Sequence, residues 1–124
     1  MSSDVRTWLT ANFKPLLPTK WKWVPYQRDV GTLSATTVWW KQERIIPLAE
    51  APVGTVRVEG TLTVASALTD VAKSEEDLDQ AVTDLVTAID GLNGLAWTEA
   101  QKVVVGDTNF GWDISVWTTA TKNT

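Results

Sequence analysis

Between residues 56 and 64 the chain alternates without a break. Val56, Val58, Gly60, Leu62 and Val64 fall on one side of an extended backbone, and Arg57, Glu59, Thr61 and Thr63 on the other. This is the period-two pattern of a strand with one buried face. Gly60 interrupts the apolar row and predicts a bulge or the close approach of a helix. A different period governs the segment that follows. Leu78, Val82, Leu85, Ile89 and Leu92 recur at four and three residues, one stripe of an amphipathic helix. Asp77, Asp79, Gln80, Thr83, Asp84, Thr87 and Asp90 fill its polar side. Ser74-Glu75-Glu76-Asp77 resembles a capping box at its start, and Gly91 or Gly94 can supply a left-handed stop.

The other elements read less sharply. Ser2 or Ser3 can cap a first helix carrying Val5, Trp8, Leu9 and Phe13 on one face, with Asp4 placed against its dipole. Pro15 and Pro18 end it. Residues 21–24 read as a short strand, 26–36 as a polar loop and 37–46 as a β-branched, aromatic strand. Pro47 and Pro52 bracket an exposed connection. Residues 97–105 form the next strand and 106–109 a hairpin turn. Phe110, Trp112, Ile114 and Val116 then alternate with Gly111, Asp113, Ser115 and Trp117. The order α-β-β-β-α-β-β predicts an α+β fold: one mostly antiparallel or mixed sheet with both helices packed on one face. Residues 1–124 make a single domain, with a short polar tail from about residue 119.

Composition narrows the chemistry. At 124 residues, 44% hydrophobic and 21% charged, the chain has an ordinary globular make-up. It contains no cysteine and no histidine, which excludes disulfides, Cys or His zinc sites, thiol nucleophiles and His-based catalytic pairs. Neither the acids at 75, 76, 77 and 79 nor Asp107 and Asp113 have the spacing of a cation loop. No phosphate-binding glycine loop is present. The expectation is a protein that is not an enzyme and holds no cofactor or metal. The N-terminus lacks a basic start followed by an apolar run, and no window approaches a membrane span, so a soluble protein made in a cytoplasm, with no membrane partner, is expected.

Net charge is −4, which speaks against a freestanding nucleic-acid binder. The charge is unevenly spread: residues 1–62 sum to +3 and residues 63–124 to −7. Opposite potentials on one subunit suit self-assembly. The anomaly is eight tryptophans beside two Phe and one Tyr. Trp21, Trp23, Tyr26 and Arg28 cluster with Lys20 and Lys22, and Trp39 and Trp40 precede Lys41 and Arg44. Interleaved aromatic and basic residues can stack on bases or sugars; they also fill cores and interfaces. Adjacent Trp39 and Trp40 must face opposite sides of a strand, as must Trp112 and Trp117. Two helices cover one face, so the rings on the other face call for a neighbour. Tyr26, Arg28, Trp39, Trp40, Lys41, Arg44 and Trp117 are the candidate protein–protein interface.

Several segments, in order, resemble the tail terminator proteins of long-tailed (siphovirus-type) bacteriophages, closest to those of actinobacterial phages. They are Val24-Pro25-Tyr26-Gln27-Arg28 with Thr32-Leu33-Ser34, Lys41-Gln42, Asp70-Val71-Ala72-Lys73, Leu78-Asp79-Gln80-Ala81-Val82, Ala88-Ile89-Asp90, and Trp97-Thr98-Glu99-Ala100-Gln101-Lys102-Val103. The resemblance runs from the first helix to about Thr119, and the expected element order agrees with the α+β subunit of that family. It implies a structural virion protein: a homo-oligomeric, usually hexameric ring at the tail–neck junction. Such a ring caps the head-proximal end of the tube of major tail protein and stops polymerisation. It meets the head–tail connector proteins, and genomic DNA passes through its lumen without specific binding. Another neck component, such as a head-completion or connector ring protein, and a carbohydrate- or nucleic-acid-binding module using the Trp clusters are the alternatives.

Overall fold

The computed structural model describes residues 4–26, 33–48, 54–67, 71–105 and 109–121. The elements are α1 (Val5–Asn12), a 3-10 turn (Lys14–Leu16), β1 (Lys22–Val24), β2 (Thr37–Pro47), β3 (Thr55–Ala65), α2 (Val71–Asp90), β4 (Leu95–Val105) and β5 (Asn109–Thr121). The five strands form one sheet in the order β1-β2-β3-β5-β4. Only β1 and β2 run parallel; every other pair is antiparallel. The fold is α+β, with the element order that the hydrophobic pattern predicts.

Both helices lie on the same face of the sheet. Val5, Leu9 and Phe13 of α1 and Leu78, Val82, Leu85 and Ile89 of α2 share one core. The sheet supplies Val38, Trp40, Val58, Leu62, Val64, Ile114 and Val116 to it. These strand residues are cross-strand neighbours, such as Val38 opposite Val64 and Leu62 opposite Ile114, so the period-two rows line up into one apolar surface.

Several local expectations need correction. Asp4, rather than Ser2 or Ser3, caps α1: its carboxylate accepts from the backbone N–H of Arg6 at 3.0 Å and of Thr7 at 3.4 Å. A carboxylate there satisfies orphan donors and complements the helix dipole at once. The acidic run 74–77 is not a cap, because α2 already begins at Val71, one turn earlier. Ala and Lys at 72 and 73 are good helix formers, and nothing in 71–74 breaks a helix. Gly94, at φ +108°, takes the left-handed turn after α2, and Gly91 does not.

Gly60 marks both features that its place in an apolar row suggests, with one substitution. A bulge lies directly across from it, where β2 shifts register between Gln42 and Arg44. The close approach is made by a tryptophan rather than a helix: a Cβ on Gly60 would run into the ring edge of Trp40 and the carbonyl of Lys41. The polar tail also behaves differently. Strand β5 continues through Thr121, with Thr118 opposite Val58 and Ala120 opposite Val56. Thr118 and Ala120 are buried there, and the strand-favouring threonines of this segment join the ladder that β3 offers. The expected turn at 106–109 falls largely outside the described residues; Val105 and Asn109 pair at its ends.

Candidate functional site

The face away from the helices divides into three zones. At one end Trp39, Ala65 and Val105 form a second, smaller core with Leu33, bordered by Val24, Ala67 and Val103. Leu33 belongs to the connection between the parallel strands β1 and β2, which brings it over this end of the sheet. The middle is polar, where Thr63 donates to Asp113 Oδ1 at 2.8 Å.

At the other end is a groove of about 400 Å³ whose lining includes Glu43, Arg44, Arg57, Glu59, Glu99 and Trp117. Four adjacent strands line it, β2, β3, β5 and β4. Arg44 of β2, Glu59 of β3 and Trp117 of β5 lie side by side in register. Arg44 donates to Glu59 Oε1 through Nε at 2.9 Å and through Nη2. Arg57 Nε lies 2.8 Å from Glu59 Oε2, an ion contact whose N–H is not aimed at the carboxylate. The guanidinium of Arg57 sits 4.3 Å above the Trp117 ring. Hydrogen bonding from Arg44, then the charges of both arginines, holds the Glu59 carboxyl below its usual range, against the opposing effect of desolvation. Glu59 is shielded (18% exposed) while Arg44 stands out at 68%.

The expected interface residues scatter across this architecture. Lys41, Arg44 and Trp117 share the helix-free face, as Lys41 pairs with Thr61 and both Arg44 and Trp117 pair with Glu59. Tyr26 is exposed just beyond β1. Arg28 lies outside the described residues. Trp39 and Trp40 do point to opposite faces, yet the demand for an outside neighbour is wrong for both. Trp40 is wholly buried under the helices and Trp39 is buried in the smaller core. They hold the chain's own layers together and offer no free ring to a partner.

The remaining tryptophans are likewise occupied within the chain. Trp23 donates to Thr10 Oγ1 at 2.9 Å and meets Phe13 edge-on at 5.4 Å. Trp8 lies against Gly94, and Trp21 packs on the main core. Trp97 donates to Asp90 at 2.8 Å and Trp112 to Asp79 at 3.2 Å. These two aspartates read in the sequence as solvated positions on the polar side of α2. The missed signal is their spacing of eleven residues, three helical turns, which sets them on one line along the helix. Lys102 joins the same seam: it reaches Asp79 at 3.1 Å and Glu75 at 3.4 Å, and lies 5.4 Å from the Trp112 ring centre.

The sheet has two unlike edges. Strand β1 covers only Thr37–Trp39 of β2, so the outer side of β2 from Trp40 to Pro47 pairs with no strand among the described residues. The outer side of β4 likewise pairs with no strand among the described residues along its whole length. The exposed large hydrophobics among the described residues are Tyr26 (57%), Ile45 (60%) and Val104 (57%). Ile45 and Val104 stand at these two edges, and Tyr26 lies just beyond β1. Among the same residues no group of three or more acidic side chains is arranged to hold a metal ion, and no helix is long and apolar enough to cross a membrane. The sequence matches no family model and no curated protein.

Proposed function

We propose that this chain is a structural subunit of a phage tail. Copies form a ring on the head-proximal end of the tail tube, stop its polymerisation and present the surface that joins the tail to the head connector. The observation that carries the reading is the pair of unlike sheet edges, unpaired among the described residues, on opposite sides of one subunit. A ring needs two different patches per subunit, each complementary to the other, arranged so that the rotation closes. The ordered resemblance to tail terminators supplies the biological setting, and the α+β order of the chain accords with the fold that resemblance implies. The place of action is the tail–neck junction of the virion, with DNA passing through the lumen.

A stacking module for sugars or bases is less well supported. Stacking requires open ring faces, and all eight tryptophans are buried or half-buried. Negative-stain imaging of the protein with tubes of a phage major tail protein tests the reading. The expected result is rings seated on one tube end and shorter tubes when the protein is present during polymerisation. Rings that ignore tubes but bind the portal side would assign it to another part of the neck. Quenching of Trp fluorescence by oligosaccharide or single-stranded DNA, with no ring, would overturn the structural role.

A further inference from the structure

We infer that the two free sheet edges join copies of this chain head to tail, β4 of one copy against the open half of β2 in the next. The inference deepens the ring reading and rests on it for closure into a ring; the contact itself is argued from the sheet.

A free edge presents unpaired backbone donors and acceptors, and proteins commonly guard such edges with charge, proline or bulges. Strand β4 has a register shift between Trp97 and Glu99, but from Glu99 to Val105 its pairing with β5 is regular, so nothing twists that stretch of edge away. The open half of β2 carries a bulge between Gln42 and Arg44 and a proline at its end, Pro47; between them Ile45 stands exposed, as Val104 does on β4. Water-exposed aliphatics on both edges, and none in the middle of the helix-free face, mark the edges as the surfaces to be covered.

Direction and register agree. β2, β3, β5 and β4 are successively antiparallel, so β4 runs opposite to β2. A neighbour placed edge to edge in the same orientation therefore meets β2 with an antiparallel β4. Ile45 pairs with Val58 and Val104 with Phe110, which puts both side chains on the helix side of the sheet. The antiparallel register that sets Val104 against Ile45 also sets Val103 against Ile46, both half-buried and both on the opposite side. Two apolar cross-strand pairs then form at once, the unit from which sheets gain stability.

Charge favours the same partner. Strand β4 packs beside α2, whose Glu75, Glu76, Asp84 and Asp90 are exposed. The opposite edge carries exposed Lys20, Lys22, Lys41 and Arg44 against one exposed acid, Glu43, and so is net basic. A second copy thus offers each edge a field of opposite sign, which steers and orients docking.

The chain has no cysteine, so an introduced thiol has no competitor. The double variant Ile45→Cys/Val104→Cys, treated with a short bismaleimide, should give a ladder of covalent oligomers on a denaturing gel. A mixture of the two single variants should give dimers, and each single variant alone should stay monomeric. Val104→Lys and Ile45→Lys, both at exposed positions, should each shift the protein to monomer in light scattering. The inference falls if Val104→Cys cross-links to itself, if the double variant gives no ladder, or if the wild type is monomeric at every concentration. It also falls if the lysine variants assemble unchanged. Ladders without tube capping would leave the contact standing and remove the tail reading. Capped tubes without ladders would do the reverse.

Discussion

The indole N–H of Trp97 donates to Asp90 Oδ1 over 2.8 Å, tying the last turn of α2 to strand β4. Three turns earlier, Asp79 accepts from Trp112 of β5. The acidic face of α2 is thus anchored to the sheet at two points by indoles. Exposed hydrogen bonds of this kind contribute modestly. Trp97→Phe should lower stability by about 1 kcal/mol through the lost bond. Asp90→Asn keeps an acceptor in place and should cost less than Asp90→Ala. Urea unfolding midpoints of the three variants test the order.

Gly60 and Trp40 depend on each other. Because the Trp40 ring crosses the position where a Cβ would sit, Gly60→Ala should destabilise the protein by about 1–3 kcal/mol, the usual range for overpacking a core. The ring is only part of the obstacle. In a Gly60→Ala/Trp40→Leu variant the combined cost should be less than the sum of the two, because the smaller side chain vacates the ring's share of the space, while the Lys41 carbonyl still opposes the methyl. A double-mutant cycle in denaturant reads the coupling directly.

How far the sequence announced this structure depends on the range of the interaction. The β3 alternation and the α2 stripe are local periodicities, and each became the element it predicts. The helices share one face because both stripes seek the same apolar rows. What stayed hidden is non-local. Nothing near Trp39 reveals that Leu33, brought back by a parallel strand pair, roofs it over. Nothing near Thr119 reveals that β3 extends far enough to keep β5 in the sheet. The interface candidates failed for the same reason: Trp39 and Trp40 read as surplus surface only while the second small core was unknown. Lys41 was legible because alternation assigns residues to faces; Arg44 was not, since the bulge between Gln42 and Arg44 resets the parity and turns Arg44 to the face of Lys41 and Ile45 to the face of the helices.

Acid should weaken the fold through Glu59 and Asp4. Arg44 lowers the Glu59 pKa from an ordinary value of 4.5, and the Thr7 hydroxyl, then its backbone N–H, lowers that of Asp4 from 3.8. A group with a depressed folded-state pKa stabilises fully above its unfolded value, and that contribution disappears as pH falls through the folded one. The stability gap between wild type and Glu59→Gln should therefore be constant near neutrality and shrink below pH 4.5. Lys102 behaves oppositely. Asp79 raises its pKa above 10.5, so its contribution persists at neutral pH and fades as pH climbs past that value. Denaturant midpoints of Lys102→Met against wild type, from pH 7 to strongly alkaline, should converge only at the alkaline end.

The smaller core makes Leu33 the roof over Trp39. Leu33 is buried, and among the described residues the cluster it completes contains three other buried residues: Trp39, Ala65 and Val105. Truncating it to alanine removes apolar contact and opens the indole face to water. The cost should be about 2–3 kcal/mol, the lower part of the range for buried leucines, because a site at the rim of a sheet admits solvent instead of keeping a void. The main core under the helices shares none of these residues, so the fold should survive and the far-ultraviolet dichroism should hold. Trp39 reports the change. In Leu33→Ala its emission should move to the red and become accessible to acrylamide. The same substitution in a Trp39→Phe background should leave the remaining seven tryptophans unmoved. Equal red shifts with and without Trp39 would show that the two cores are not separate and that the helix-free face depends on the helix-covered one.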